Sequence, residues 1–201
     1  MVGKHGTKKV TLSLVTSFFV LLSCTKIPKQ STQEQSIPVA LQSGDLILRK
    51  GTGYFSDIFK RMASRDKRFS HIGIISKERD SIFVYHIEAD EFTGEGVVLR
   101  EEVNHFLQQS TDHAFYANAM DTVAKQAMLV KAKAFFEVKV VFDLNFNAAD
   151  DDKLYCSELV AKCINYGMDS IYIQPTLNWK GHLFYGLDDI YSKAAFSEIG
   201  L

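Results

Sequence analysis

Cys156 is the residue whose surroundings best suit chemistry, because it stands where an acidic stretch runs into a helical pattern. Apolar residues follow it at the spacing of one helix face: Leu159, Val160, Cys163 and Ile164. The aspartates at 150–152 come just before it, and negative charges suit the positive end of a helix dipole. The pattern therefore predicts Cys156 in a first helical turn, where free backbone N–H groups and the dipole stabilise a thiolate.

A purely structural role also fits Cys156. Cysteine is among the most buried residue types, and this one begins the apolar stripe of its predicted helix. A histidine and a carboxylate placed to act on the thiol would favour chemistry, and the chain contains both.

The histidine and the carboxylate lie on two stretches with a β pattern, residues 70–75 and 81–89, which a polar turn joins. If the hairpin is centred between residues 79 and 80, the numbers of cross-strand partners sum to 159. His71 then lies opposite Glu88, and both side chains point to the same face of the hairpin. The sequence thus places an imidazole beside a carboxylate on paired strands.

This pair can activate a thiol. Glu88 would hold one ring nitrogen of His71 as the N–H donor, so that the other nitrogen faces Cys156 as a base. His86 points to the same face and competes for the orienting role, while a satisfied structural histidine is the alternative for His71 itself. A zinc site built from His71, His86 and Glu88 matches no common spacing of metal ligands, and we predict no metal here.

The start of the chain is typical of an exported lipoprotein. Residues 1–9 carry three lysines and no acid, and the apolar run at 10–22 is shorter than the ~20 residues that cross a bilayer. The run ends in Leu21-Leu22-Ser23-Cys24, which resembles a bacterial lipobox, in which the cysteine is lipidated and becomes the mature N-terminus. We expect residues 1–23 to be a lipoprotein signal peptide and Cys24 to anchor the protein to a membrane surface without spanning it. An ordinary signal peptide with a chance cysteine is the alternative.

The rest of the chain divides into a tether and one domain. Residues 24–38 form the lipidated N-terminus and a polar tether without apolar periodicity, and residues 39–201 have a normal size for a single domain. The composition is globular, with 46% hydrophobic residues and a formal net charge of −1. That charge balance gives no indication of nucleic-acid binding.

The domain contains two cysteines, Cys156 and Cys163. On one helix, seven residues separate them by about 10.5 Å of rise. A disulfide needs Cα atoms within about 7 Å, so we expect both thiols to stay unpaired. Burial explains an unpaired Cys163, and chemistry is the more interesting explanation for Cys156.

The remaining pattern predicts short strands and helices that alternate irregularly. The further strands fall at residues 46–49, 96–100 and 113–116. The helices fall at residues 55–62, 101–109, 121–136, 154–166 and 188–196. Strands cluster in the middle of the domain with helices around them, which indicates an α+β fold.

Four motifs in a fixed order resemble one protein family. They are Gly44-Asp45-Leu46-Ile47, Ser70-His71-Ile72-Gly73-Ile74, His86-Ile87-Glu88-Ala89 and Tyr155-Cys156-Ser157-Glu158-Leu159-Val160. Together they resemble the YiiX-like proteins, a circularly permuted branch of the NlpC-type, papain-like cysteine peptidases. The permuted order, histidine first and cysteine last, is the order found here.

This resemblance implies a papain-like fold, with a central antiparallel sheet packed against the helix that carries the cysteine. It also implies a triad of Cys156 as nucleophile, His71 as base and Glu88 as the orienting group, with no metal or organic cofactor. The backbone N–H of Cys156 would help to bind the oxyanion, and Tyr155 would add its hydroxyl or shape the substrate pocket.

The sequence therefore predicts a cysteine hydrolase of amide bonds, anchored by lipid to a membrane of the bacterial cell envelope. Its expected substrate is a peptidoglycan stem peptide or another small peptide. A lipid amide or ester hydrolase, or an acyltransferase, with the same triad is the first alternative, because the triad acts on the carbonyl and not on the rest of the molecule. A non-catalytic binding module on the same fold is the second.

Overall fold

The computed structural model of the chain describes residues 1–3, 36–63, 65–108, 110–149 and 151–200. The chain divides into two units, Met1–Glu34 and Gln35–Leu201, and the secondary structure given below lies in the second. Cys24, the expected signal peptide beyond its first three residues and most of the tether lie outside the described residues. Within the described ranges, no helix is both long and apolar enough to cross a bilayer.

Strands and helices alternate along the second unit. The strands are β1 Leu46–Lys50, β2 His71–Glu78, β3 Ser81–Ile87, β4 Val98–Glu102, β5 Asp112–Asn118, β6 Val141–Phe142, β7 Lys153–Leu154, β8 Leu177–Trp179, β9 His182–Phe184 and β10 Phe196–Glu198. The helices are α1 Tyr54–Met62, α2 Val103–Gln108, α3 Thr122–Glu137, α4 Cys156–Gly167 and α5 Leu187–Tyr191.

A six-stranded antiparallel sheet with the order β10-β5-β1-β2-β3-β4 forms the centre of the unit. The β2–β3 hairpin pairs Ile74 with Tyr85 and Glu78 with Ser81, so partner numbers sum to 159. The predicted register is therefore confirmed, and with it the position of His71 at the far end of β2.

The sheet carries a different apolar cluster on each face, because alternate residues of a strand point to opposite sides. Leu46 and Leu48 of β1 belong to the larger cluster, which includes the buried faces of α1, α3 and α4. Ile47, between them, belongs to a smaller cluster that α2 covers. The predicted α+β fold, with the cysteine helix packed on an antiparallel sheet, is confirmed.

Two predicted helix boundaries are wrong. The stretch from Glu101 was expected to be helical, but β4 continues through Glu102 and α2 begins at Val103. The helix expected at residues 188–196 is only the short α5, and Phe196 begins an edge strand paired with β5. Both segments are too short for apolar periodicity to separate helix from strand.

Candidate active site

Cys156 is the first residue of α4, as predicted, and Tyr155 is its N-cap. The side chain is 0% exposed and packs in the larger apolar cluster. The backbone N–H groups of Ser157 and Ile72 are close enough to the sulfur to lower its pKa. The thiol therefore lies against the residue that follows His71 in β2.

Burial decides the charge state of this thiol. Removal from water raises the pKa of Cys156 to about 12, and the backbone N–H groups of Ser157 and Ile72 lower it only in part. The nearby charge of Glu88 raises it further. The resting thiol is therefore neutral at pH 7, because burial outweighs the stabilisation of a thiolate that was expected at the helix start.

His71 is buried at the first position of β2. Its ring packs on Phe106, with centroids 5.5 Å apart, and its Nε2 lies 2.9 Å from Nδ1 of His86. Burial, followed by the positive charge of Arg49 and by His86, lowers the pKa of His71 well below its ordinary value. The imidazole is therefore neutral at pH 7, the state in which it can accept a proton.

The imidazole and the thiol are held by packing on different faces of the sheet. Phe106, which supports His71, belongs to the smaller cluster, whereas Cys156 belongs to the larger one together with Ile72. The backbone of Ile72, adjacent in sequence to His71, acts on the thiol of Cys156 and lowers its pKa.

A chain of polar contacts continues from His71 away from the cysteine. His86 Nε2 lies 2.9 Å from Oε1 of Glu101, and Oε2 of Glu101 lies 2.5 Å from Nδ1 of His105. An ionised carboxylate only accepts, so we assign the proton of His86 to Nε2. Nδ1 of His86 then accepts from Nε2–H of His71, which leaves Nδ1 of His71 as the free base.

Glu101 is ionised in this arrangement. Burial alone would raise the pKa of Glu101, but the contacts with His86 and His105 outweigh burial and hold that pKa below its ordinary value. The negative charge in turn favours the assigned proton position on His86.

Glu88, the expected orienting group, has a different partner. Its Oε1 lies 2.5 Å from a terminal nitrogen of Arg49, which is itself buried. The other terminal nitrogen of Arg49 donates to the carbonyl of Phe106 at 2.6 Å, and the guanidinium lies 4.5 Å from the centroid of that ring. The expected bond between Glu88 and His71 is therefore replaced by one between His86 and His71.

His71, His86 and Glu88 each offer a possible ligand atom for a metal ion, and these atoms all lie within 4.8 Å of one another. Two ligands of one tetrahedral zinc ion are about 3.3 Å apart, given metal–nitrogen distances of ~2.0–2.1 Å. The two histidine nitrogens are only 2.9 Å apart, and the carboxylate of Glu88 is already paired with the positive charge of Arg49. As arranged here, the three residues do not fit a tetrahedral zinc ion.

Tyr155 is fully buried next to the nucleophile candidate. Its hydroxyl accepts a hydrogen bond from the backbone N–H of Tyr185 at 2.8 Å, and its ring stacks on Phe184 with centroids 4.6 Å apart. Burial raises the pKa of this phenol. The hydroxyl expected to support an oxyanion is therefore in contact with the backbone of a different segment.

A cavity of about 440 Å³ opens beside His71, a size found among ligand sites. Cys156 is not part of its wall. The lining residues come from the end of the central sheet, from helix α1, from β6 and from the loops between them: Arg49, Gly51, Thr52, Phe55, Ser56, Phe59, Ser70, His71, Ile87, Glu88, Ala89, Asp90, Glu91, Leu99 and Phe142.

Two residues of the site were not assigned from the sequence. The sequence pattern predicted a helix at Glu101, but Glu101 lies on β4. It is two residues after Leu99, which is paired with His86 of β3, so Glu101 and Leu99 point to the same face of the sheet. Arg49 is the next-to-last residue of the short strand β1 and pairs in register with His71. Strand alternation was the available signal for Glu101, but the register of β4 was not evident from the sequence.

Comparison with known proteins gives a match to a family model and matches to solved structures. The family model described as "Permuted papain-like amidase enzyme, YaeF/YiiX, C92 family" matches residues 40–178. A similar solved structure is titled as that of metalloprotein yiiX from Escherichia coli O157:H7; it has a TM-score of 0.64 and 14% identity, and the match covers 79% of this chain and 96% of that one. No curated protein matches. At that identity the structural likeness shows a shared fold.

Proposed function

This chain belongs to the permuted papain-like amidase family YaeF/YiiX, and we propose that it is an envelope-anchored cysteine amidase with Cys156 as its nucleophile. Membership makes it a papain-like cysteine hydrolase of amide bonds. The observation that carries the proposed site is the position of Cys156 at the start of α4, with its sulfur against the N–H of Ile72 beside His71.

In the proposed reaction, Nδ1 of His71 accepts the thiol proton while the sulfur of Cys156 bonds to the amide carbon. The proton then passes to the leaving nitrogen as the C–N bond breaks, which releases an amine and leaves a thioester on Cys156. Water, deprotonated by His71, attacks the thioester and releases a carboxylic acid and the free thiol. Because both groups are neutral at rest, His71 acts as a general base during attack and no preformed thiolate is required.

His86 is the proposed third member of the triad, in place of Glu88. It fixes the ring of His71 through the 2.9 Å contact, and Glu101 fixes its proton in turn. The N–H groups of Cys156 and Ser157 at the helix start, together with that of Ile72, each lower the pKa of the thiol from nearby and are the proposed donors to the developing oxyanion.

The proposed substrate is a peptide amide, in a peptidoglycan stem or another small peptide. The cavity beside His71 has room for a short peptide segment and combines hydroxyls, charged groups and aromatic rings in its wall. The proposed place of action is the bacterial cell envelope, where lipid on Cys24 would hold the domain at a membrane surface.

A lipid amide or ester is the second candidate substrate, and a feature of the cavity mouth favours it. Tyr54 directly precedes the cavity-lining Phe55, Phe92 directly follows the cavity-lining Glu91, and the two aromatic residues are 68% and 98% exposed. Exposed aromatic side chains beside an active site suit contact with an acyl chain or a membrane surface.

Digestion of purified sacculi, stem peptides and an N-acyl lipid by the full chain, with products resolved by mass, tests the proposal. We expect new muropeptides or cleaved stem peptides with the wild type, none with Cys156→Ala, and unchanged products with the matched control Cys163→Ala. Cleavage confined to the lipid would select the second candidate. Full activity of Cys156→Ala would contradict the proposed nucleophile, and a Cys156→Ala chain that rescues a deletion phenotype would favour a binding module.

The anchor has its own test. Cys24→Ser should move the protein from the membrane fraction to the soluble fraction of lysed cells, since one residue carries the proposed acyl chains. Equal membrane recovery of both proteins would contradict lipidation at Cys24.

A further inference from the structure

The residues on either side of Cys156 are both bonded to the same residue of the C-terminal segment. The hydroxyl of Tyr155 accepts from the N–H of Tyr185 at 2.8 Å, and the hydroxyl of Ser157 donates to the carbonyl of Tyr185 at 2.7 Å. The ring of Tyr155 also stacks on Phe184, with an interplanar angle of 6°. We propose that Phe184 and Tyr185 form a clamp that positions Cys156 for catalysis, with Tyr155 and Ser157 as positioning residues.

The clamp lies beyond the part of the chain that matches the family model, which ends at residue 178. Phe184 ends β9, whose pairing with Leu177 of β8 fixes it from one side. On the other side α5 follows, where a side-chain oxygen of Asp188 accepts from the backbone N–H of Arg65 at 2.6 Å. The clamp is therefore attached to the rest of the domain at both ends.

The start of α4 needs such support. Its N-cap, Tyr155, makes no side-chain hydrogen bond to the first turn, and first turns without a cap fray readily. Tyr155, Ser157 and Tyr185 are buried, so each of the two clamp bonds satisfies polar groups that water does not reach. Removing the hydroxyl of Tyr155 takes a partner from the N–H of Tyr185, and removing that of Ser157 takes a partner from the carbonyl of Tyr185. Either change releases a residue next to Cys156 from the clamp.

The catalytic meaning of the clamp rests on the proposed role of Cys156, but its effect on the thiol is measured without a substrate. Trypsin cleaves after Lys153, Lys162 and Lys180, so one peptide carries Cys156 and the next carries Cys163. Alkylation of the native full chain with iodoacetamide, followed by digestion and mass analysis, then reports each thiol separately, and Cys163 acts as the internal control.

We expect Ser157→Ala and Tyr155→Phe each to accelerate alkylation of Cys156 about fivefold or more and to leave the alkylation of Cys163 unchanged, because only local opening exposes the helix start. The matched controls are Ser76→Ala and Tyr116→Phe, which remove hydroxyls elsewhere in the sheet. Equal acceleration of both thiols, or of neither, would overturn the clamp, since the first is global unfolding and the second is no effect.

Kinetics on any cleaved amide give the second readout. Both clamp variants should lower kcat about tenfold with KM within about twofold, and Ser157→Thr, which keeps the hydroxyl, should restore most of the rate. An unchanged kcat would reduce the contacts to a structural role and overturn the proposal. Activity that survives Cys156→Ala would contradict the proposed function instead, and the alkylation result would still decide whether the clamp holds Cys156.

Discussion

Nε2 of His71 lies 2.9 Å from Nδ1 of His86, and this contact, rather than one to Glu88, orients the proposed base. The two rings are perpendicular, with centroids 5.1 Å apart, and Phe106 packs against both. Because one nitrogen of His71 is used by His86, only Nδ1 is left for the thiol. The relationship makes His86 part of the proposed reaction and gives several measurable consequences.

His86→Ala should lower kcat by about 100-fold with little change in KM, since an oriented general base contributes ~10²–10⁴-fold. The control is His182→Ala, whose histidine lies exposed on β9. Steady-state kinetics on a cleaved amide, with circular dichroism to verify folding, provide the measurement. A rate within threefold of the wild type would remove His86 from the triad.

The two candidate carboxylates should differ in effect. Glu101→Gln removes the charge that fixes the proton of His86 and should lower kcat about tenfold, equivalent to ~1.4 kcal/mol of activation free energy. Glu88→Gln keeps an oxygen that accepts from Arg49 and should change kcat by less than about threefold. The opposite order of effects would return Glu88 to the role that the sequence predicted.

The acid limb of the pH profile should report the environment of His71. Burial, Arg49 and His86 lower the pKa of His71, and a base with a lowered pKa stays neutral to a more acidic pH. We therefore expect kcat/KM to be maintained below pH 6.5 before it falls. Arg49→Met removes a positive charge and should move this limb to higher pH, whereas Lys60→Met, on the surface of α1, should not. An acid limb that stays in place in Arg49→Met would contradict the proposed electrostatic role.

Alkylation of Cys156 in the resting protein should be slow at neutral pH. Burial raises the pKa of this thiol to about 12, so the reactive thiolate is scarce at pH 7 and still increases at pH 10. The unfolded chain should instead react with a midpoint near ~8.5, the value of a free cysteine. A native midpoint below pH 8 would indicate a preformed thiolate and contradict the general-base mechanism.

Much of the site follows from local pattern. The charged turn at residues 77–80 sets the register of the hairpin, and the apolar spacing after Cys156 sets the helix, so the locations of His71 and Cys156 were correctly predicted. Both Cys156 and Cys163 were expected to be unpaired, and both are free; the burial expected for Cys163 is found, and Cys156 is buried as well. Each of these features depends on residues that are close together in the sequence.

The parts that were missed depend on distant pairing. The loop between β3 and β4 spans residues 88–97, which is too long for a two-residue hairpin turn to fix the register, so the position of Glu101 beside His86 was not evident. Strands β8 and β9, which fix one end of the clamp, are only three residues long, too short to show the alternation of buried and exposed residues. In α3, Val123 and Val130 are exposed while smaller residues such as Ala132 are buried, because α3 packs closely against α4.

Gly73 should be essential for the distance between the two histidines. A Cβ at this position would lie 2.4 Å from Cγ1 of Val84 and 3.3 Å from Cβ of His86, both across the hairpin. Gly73→Ala therefore forces β3 away from β2, and we expect a loss of about 1–3 kcal/mol in unfolding free energy, typical of overpacking, together with a lower kcat. Gly200→Ala, where a Cβ would meet nothing within 4 Å, is the control.

Val84→Ala removes the closest contact, so the double variant should recover stability and rate relative to Gly73→Ala. Chemical denaturation and kinetics of the wild type, Gly73→Ala, Val84→Ala and the double variant measure this coupling. Strictly additive effects would show that the clash with Val84 does not control the position of His86.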